Sequence, residues 1–349
     1  MSVTRTASSA TAPRARALAE RAGRAPTPRR CGGAKAGYGE PMRSFLAASL
    51  TAAAIAAVLV ACSSDDPPAS PAPKADAGST PDAEPIPEND AGGGGDAAKG
   101  PKPTVTNESV SVGGKTRTFV LVVPETYSAA KKYPLVLAFH GDGGTAASFR
   151  AYYKFDTYSG EDAVVAYLDG LGQTWDIERL APNPDVDFAM ATVDAIKAKV
   201  SVDTARVFAT GWSSGGFFVN RLACMKSTSI RGLSSHAGGA VYESDANKPH
   251  PTYPNGFPKC PGQDKVPAFI THGLSDPAVE PASGDFDASY WAYVNGCQDT
   301  RAATSPSPCV AHAGCPAGKP VVYCPIPGNG HGIWKEGAKE SWAFFKSLP

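Results

Sequence analysis

From about residue 104 onward the chain predicts an α/β domain: a mainly parallel, doubly wound sheet with helices on both faces. Three observations carry this expectation. Short continuous apolar runs alternate with helix-length segments, several runs end in glycine-rich turns, and one turn reads Gly-x-Ser-x-Gly between a strand and a helix. In order, Thr118 to Pro124 reads as a strand, and after the Lys131-Lys132 turn the run Pro134 to Phe139 forms a second, ending in His140-Gly141-Asp142-Gly143-Gly144. Ala163 to Leu168 is the next apolar stretch. Pro184 and Asp185 are helix start signals ahead of 187–200, where Phe188, Val193, Ile196 and Val200 recur at roughly helical spacing. The strand Arg206 to Thr210 is broken by Gly211-Trp212-Ser213-Ser214-Gly215-Gly216, and Phe218, Leu222 and Met225 then share one helical stripe. Val266 to Thr271 leads to His272-Gly273-Leu274-Ser275-Asp276, Pro320 to Cys324 leads to Gly328-Asn329-Gly330-His331-Gly332, and about 335–348 closes the chain as a helix. Sites in such sheets lie at the carboxyl ends of the strands.

The segments before this single catalytic domain read as targeting and tether. Lys plus Arg equals Asp plus Glu at 33 each, so no basic excess draws the chain onto nucleic acid. Met42-Arg43 and the apolar run Phe45 to Ala61 form the two parts of a signal peptide (42–61), and Leu59-Val60-Ala61-Cys62 resembles a bacterial lipobox, with Cys62 as the lipidated first residue of the mature chain. At 17 residues the run is marginal for a bilayer span, which needs about 20. Residues 1–41 match no ordinary leader, and Met42 is the expected start. The stretch 62–103 is rich in Pro, Ala, Gly and Asp and reads as a disordered linker that would hold the domain (104–349) tens of ångströms from a membrane. The expected location is therefore outside the cytoplasm, lipid-anchored to the cell envelope (the outer membrane if Gram-negative) or secreted.

Cysteine usage agrees with export. Six cysteines fall within the domain, an even set in an oxidising compartment, and no Cys-x2-Cys pair suggests zinc. The sequence does not choose the connectivity; the expected pairs are Cys224 with Cys260, Cys297 with Cys324, and Cys309 with Cys315.

The chemistry is sought at the strand ends. Gly211 and Gly215 bracket Ser213 as a nucleophile elbow requires, since small neighbours let the backbone turn sharply and lift the hydroxyl out of the sheet. The helix starting near Ser214 aims N–H groups at the same spot. Ser214 is thus one expected oxyanion donor, with the second from Gly141 or Asp142. A serine needs a base and the base needs an orienting carboxylate. Of six histidines, His331 stands in a glycine-rich loop after the last strand, while His140 and His272 fit turn-shaping roles. Asp276, just beyond its strand, is the expected acid, and Asp187 fits a helix cap. Trp175, Trp212, His236 and Tyr253 are candidates to line the substrate side, with Trp175 or Tyr253 able to stack on an aromatic acyl group or simply to pack. The cleft-lining loops are expected near Trp175, over 242–258 and over 283–290. This chemistry requires no metal and no cofactor.

At these residues the chain resembles a family. Gly211-Trp212-Ser213-Ser214-Gly215-Gly216, Leu222-Ala223-Cys224, His272-Gly273-x-x-Asp276, Asn295-Gly296-Cys297 and Gly330-His331 preceded by Cys324 are similar to the secreted feruloyl esterases and polyhydroxybutyrate depolymerase-like esterases of carbohydrate esterase family one, over about 105–349. The resemblance implies an α/β-hydrolase fold, the triad Ser213, Asp276 and His331, and hydrolysis of carboxylic esters. Feruloyl groups on plant cell-wall polysaccharide come first, with acetylxylan or short hydroxyalkanoate polyesters as alternatives. Gly332 departs from the Gly-His-Thr that relatives often carry. A reading from another class is a catalytically inactive hydrolase-fold lipoprotein that binds surfaces. Expected partners are the ester substrate and, through the anchor, a membrane; the expected state is a monomer.

Overall fold

Leu135, Val136, Leu137, Ala138 and Phe139 are all wholly buried, as a strand covered on both faces must be. They lie in the third strand of a computed structural model that describes residues 103–179, 181–241, 251–262 and 264–349. The expected leader, signal segment, lipidated Cys62 and all but the last residue of the linker lie outside the described residues, as do 242–250 of one expected cleft loop. In chain order the elements are β1 (Thr104–Val112), β2 (Lys115–Val123), β3 (Tyr133–Phe139), α1 (Ala146–Tyr153), α2 (Phe155–Ser159), β4 (Val164–Leu168), α3 (Pro184–Lys197), β5 (Val202–Trp212), α4 (Ser214–Met225), β6 (Gly232–His236), β7 (Ala268–Gly273), α5 (Pro281–Asn295), β8 (Arg301–Ala303), β9 (Val310–His312), β10 (Val321–Ile326) and α6 (Gly337–Ser347).

The strands form one sheet in the order β1-β2-β4-β3-β5-β6-β7-β10-β9-β8. From β4 to β10 every neighbouring pair is parallel, and antiparallel strands finish both edges. Alternate residues of β3 feed two cores. Leu135, Leu137 and Phe139 pack with Val186 and Phe188 of α3, Phe218 and Leu222 of α4 and Trp291 of α5. Val136 and Ala138 face Phe149 and Tyr153 of α1, Phe155 of α2 and Trp342 and Phe345 of α6. This is the α/β-hydrolase fold, doubly wound as expected.

Several local expectations need correction. The helix expected over 187–200 begins earlier, because Asn183 Oδ1 accepts the N–H groups of Asp185 and Val186 and Pro184 opens the first turn. Asp187 is therefore not the cap; it is exposed on the first turn. The segment 283–290, expected as a loop, belongs to α5, which starts at a Pro and stops where Gly296 takes φ 76°. Of the expected disulfides, Cys224–Cys260 forms, but the others are Cys297–Cys315 and Cys309–Cys324. The edge strands explain the exchange. Tyr323 of β10 pairs with Val310 of β9 in antiparallel register, so the next pair along is Cys324 opposite Cys309. The β8–β9 hairpin continues through Gln298 N–H donating to Ala313 O (2.8 Å), which carries Cys297 back to Cys315.

Candidate active site

At the end of β5 the chain turns at Ser213 with φ 56° and ψ −121°, then enters α4. A non-glycine residue held there stores roughly 1–3 kcal/mol of strain, so its surroundings must impose it. They do so through contacts too close for side chains. A Cβ on Gly211 would collide with the Gly215 carbonyl, and one on Gly215 with the Phe139 carbonyl at the end of β3. Ser213 N–H donates to His236 O at 2.9 Å, which pins the turn to β6.

The loop after β10 brings His331 to the serine. His331 Nε2 lies 2.8 Å from Ser213 Oγ, and Nδ1 lies 2.8 Å from Asp276 Oδ2. An ionised Asp276 only accepts, so the imidazole carries its proton on Nδ1 and presents a lone pair to the serine O–H. Burial alone would raise the pKa of Asp276, but the N–H groups of Val279 and Ala278, at 2.9 and 2.8 Å from Oδ1, together with the His331 ring, outweigh it and hold the carboxyl below its ordinary range. The acid turn and the histidine loop are stitched together: Leu274 N–H donates to Ile326 O and Ser275 N–H to Asn329 O, both at 3.0 Å. Gly273 permits this approach, since a Cβ there would strike the carbonyls of Asn329 and Gly330. From the other side Ile333 N–H donates to Tyr152 Oη at 3.1 Å, and the Trp212 ring lies 5.4 Å from the His331 ring.

The glycine loop after β3 runs beside the serine, with a Cβ on Gly141 only 3.2 Å from Ser213 Cβ. Its shape is fixed from beneath. His140 Nε2 accepts the Gly170 N–H at 2.9 Å, so Nδ1 carries the proton and donates to Gly141 O at 2.7 Å. Burial lowers the His140 pKa and favours this neutral ring. Trp175 Nε1–H donates to His140 O at 2.8 Å. Gly143 and Gly144 spend their N–H groups on Gln173 O and Gly141 O, and the Asp142 carboxylate accepts from Thr174 Oγ1.

The residues expected on the substrate side divide. Trp212 stands at the triad, half-buried between Tyr152 and His331. Trp175 does not line a cleft: it is 3 % exposed and wedged against Phe139 and Phe218, each ring centroid 5.1 Å away. His236 is wholly buried below the site, with Nδ1 on Thr271 Oγ1 (2.7 Å) and Nε2 on Tyr153 Oη (2.8 Å), and burial pushes its pKa down to about 3. Tyr253 packs on Tyr293 near the far end of α5. The neighbouring cavity of about 440 Å³ is lined by Phe217, Gly239, Ala240, Ala282, Ser283 and Phe286; Ser283 and Phe286 fall in the expected cleft segment 283–290, whereas sequence reasoning missed the other four. Phe217 lies one helical turn beyond Ser213, and its N–H donates to Ser213 O at 3.0 Å. The signal was present in that spacing, but α5 was not recognised as a helix.

A hydroxyl bonded to an imidazole that is itself bonded to a buried carboxylate can be deprotonated as it attacks a carbonyl. Fold and site together define the class, a serine hydrolase of the α/β-hydrolase type that cleaves carboxylic esters. The chain is similar to feruloyl esterase C of Emericella nidulans, 28% identical over 207 residues that span 58% of this chain and 69% of that enzyme. It is also similar to feruloyl esterase B of Piromyces equi, 28% identical over 249 residues, 67% of this chain and 46% of the other. Among solved structures an acetyl xylan esterase from Aspergillus awamori superposes with a TM-score of 0.56 at 18% identity, covering 68% of this chain and 98% of that one. No protein-family model matches the chain.

Proposed function

We propose that the chain is an extracytoplasmic esterase acting on ester groups of plant cell-wall polysaccharide, feruloyl esters first among them, with Ser213 as nucleophile, His331 as general base and acid, and Asp276 as the orienting carboxylate. The observation that carries the reading is the unbroken hydrogen-bonded series Ser213–His331–Asp276 at a strained turn. Ser213 Oγ attacks the ester carbonyl carbon while its proton passes to His331 Nε2. The oxyanion that forms is met by the N–H of Ser214 at the start of α4 and by that of Gly141 or Asp142. His331 returns the proton to the departing alcohol, leaving an acyl-serine, and water repeats the sequence to release the acid.

The similarity to two feruloyl esterases supports a hydroxycinnamoyl acyl group, and so does an apolar cavity of a size suited to one aromatic ring and its substituents. The signal-like segment 42–61 and the lipobox-like Leu59-Val60-Ala61-Cys62 support an enzyme that is exported to where such polymers are met. The test is a panel of methyl ferulate, acetylated xylan and poly-3-hydroxybutyrate with the full chain and Ser213→Ala. Turnover of the ferulate above the others, lost in the variant, is expected. Preference for either other substrate overturns the acyl group, and activity surviving in Ser213→Ala overturns the mechanism.

A further inference from the structure

Outside the triad, one buried polar group among the described residues joins the walls of the cavity. Asn220 on α4 is wholly buried and its amide reaches three separate elements. Nδ2 lies 3.0 Å from Gly216 O on its own helix, 3.2 Å from Ser235 Oγ on β6, 2.9 Å from Gly239 O in the segment after β6, and 2.8 Å from Asp287 Oδ2 on α5, while Oδ1 accepts from Trp291 Nε1 at 2.7 Å. Gly239 lines the cavity, and Asp287 follows the lining residue Phe286 on α5. An amide has two N–H donors for these acceptors, so the arrangement is taut. Asp287 is wholly buried and its Oδ1 has no partner among the described residues.

We infer that the Asn220–Asp287 pair is a positioning device that sets the walls of the acyl cavity, so that the charge state of Asp287 decides which acyl groups the site accepts. The inference rests on the esterase reading above. A neutral carboxyl can sit in this enclosure with one oxygen on Asn220. An ionised one puts a charge in a dry core with no cation paired to it among the described residues, only the Asn220 amide and the Ser235 hydroxyl pulling the other way, a cost that is relieved by admitting water or by shifting α5. Shifting α5 moves Ala282, Ser283 and Phe286 together.

Burial raises the Asp287 pKa to about 7 against the opposing pull of Asn220 and Ser235, so the change of state falls in the working range of an enzyme. The other titratable or charged groups around it are Asp285 and Tyr290 on α5, Arg221 on α4, His236 on β6, His272 on β7 against Gly284, and Tyr323 on β10. Burial holds Tyr290 above its ordinary range, Tyr323 up to about 12 and His236 down to about 3, so these three keep their charge between about pH 5.5 and 8.5.

The experiment compares kcat/KM for p-nitrophenyl butyrate and p-nitrophenyl acetate from pH 5.5 to 8.5, in the full wild-type chain and in Asp287→Asn. Taking the ratio cancels the titration of the triad, which both substrates share. In the wild type the butyrate-to-acetate ratio should fall several-fold through a step near pH 7, carried by KM for butyrate. The asparagine mimics the neutral acid, so Asp287→Asn should hold the low-pH ratio throughout. A flat ratio in the wild type overturns the inference, as does an undiminished step in the variant, which would show that the step does not belong to Asp287. Should Asp287→Asn fail to fold, the wild-type profile alone decides. Acetate hydrolysis that survives in Ser213→Ala would instead strike the esterase reading.

Discussion

Trp175 and Trp212 look alike in sequence, each beside a turn at the end of a strand, yet one supports the site from below and the other walls it. The difference lies in a hydrogen bond to a distant carbonyl, Trp175 Nε1 to His140 O, which residue type and spacing do not encode. Trp175→Phe keeps most of the packing against Phe139 and Phe218 and loses that bond. It should cost about 1 kcal/mol of stability, seen as a small drop in urea midpoint, and should lower kcat more than it changes KM, because the glycine loop it anchors is the proposed oxyanion site. Unchanged kcat would show that the loop holds its shape without it. The hydrogen-bonded series Ser213–His331–Asp276, the proposed triad, was legible because each member follows a strand and two sit among glycines. The choice between acids is checked directly: Asp276→Asn should lower kcat by about 10^4, measured on p-nitrophenyl acetate, whereas Asp187→Asn, exposed and capping nothing, should change neither rate nor melting temperature appreciably. His236 shows the limit of such reading, since a histidine at a strand end looks the same whether it faces a cleft or, as here, Tyr153 and Thr271 in the core.

Among elements, the strands that were legible are those carrying an apolar run: β2 from Thr118 onward, β3, β4, the second half of β5, β7 and β10. The others carry no such mark. β1 is an edge strand of mostly exposed polar residues, β6 reads Gly-Leu-Ser-Ser-His although every residue is buried, and α5 hides its helical character behind Gly284 and its serines and aspartates. The β8–β9 hairpin was equally hidden, and with it the true disulfides. Cys309–Cys324 ties β9 to β10, and Cys324 lies seven residues before His331 on the strand that delivers it. A bridge across a sequence separation of 15 contributes about 3 kcal/mol in the chain-entropy model. Cys324→Ser should lower the melting temperature by roughly 6–12 °C for a domain of this size and reduce turnover with it, because β10 holds the histidine loop by pairing with β7. A melting curve and rate that both match the wild type would show that strand pairing alone fixes His331.

At the scale of the whole molecule, two wholly buried ionisable groups oppose each other across the pH range. His236 has its pKa pushed down to about 3 by burial, against an ordinary 6.5, so the folded state keeps it neutral while the unfolded chain takes up a proton. Its contribution is complete above pH 6.5 and is lost as pH falls toward 3. Asp287 has its pKa raised to about 7 from an ordinary 3.8, so the folded state keeps the proton that the unfolded chain gives up. Its contribution is complete below pH 3.8 and is lost as pH rises through about 7. Between about pH 4.5 and 6 each group differs by close to one bound proton between the two states, in opposite senses, and each slope is about 1.4 kcal/mol per pH unit. The two contributions cancel there. Asp287→Asn removes one side of the balance and leaves the slope of His236 uncovered. The free energy of unfolding of the variant, from urea titrations at several pH values, should therefore climb relative to wild type by about 1.4 kcal/mol for each pH unit from 4.5 to 6. Parallel stability curves for the two proteins over that range would mean that Asp287 is already ionised in the folded state there.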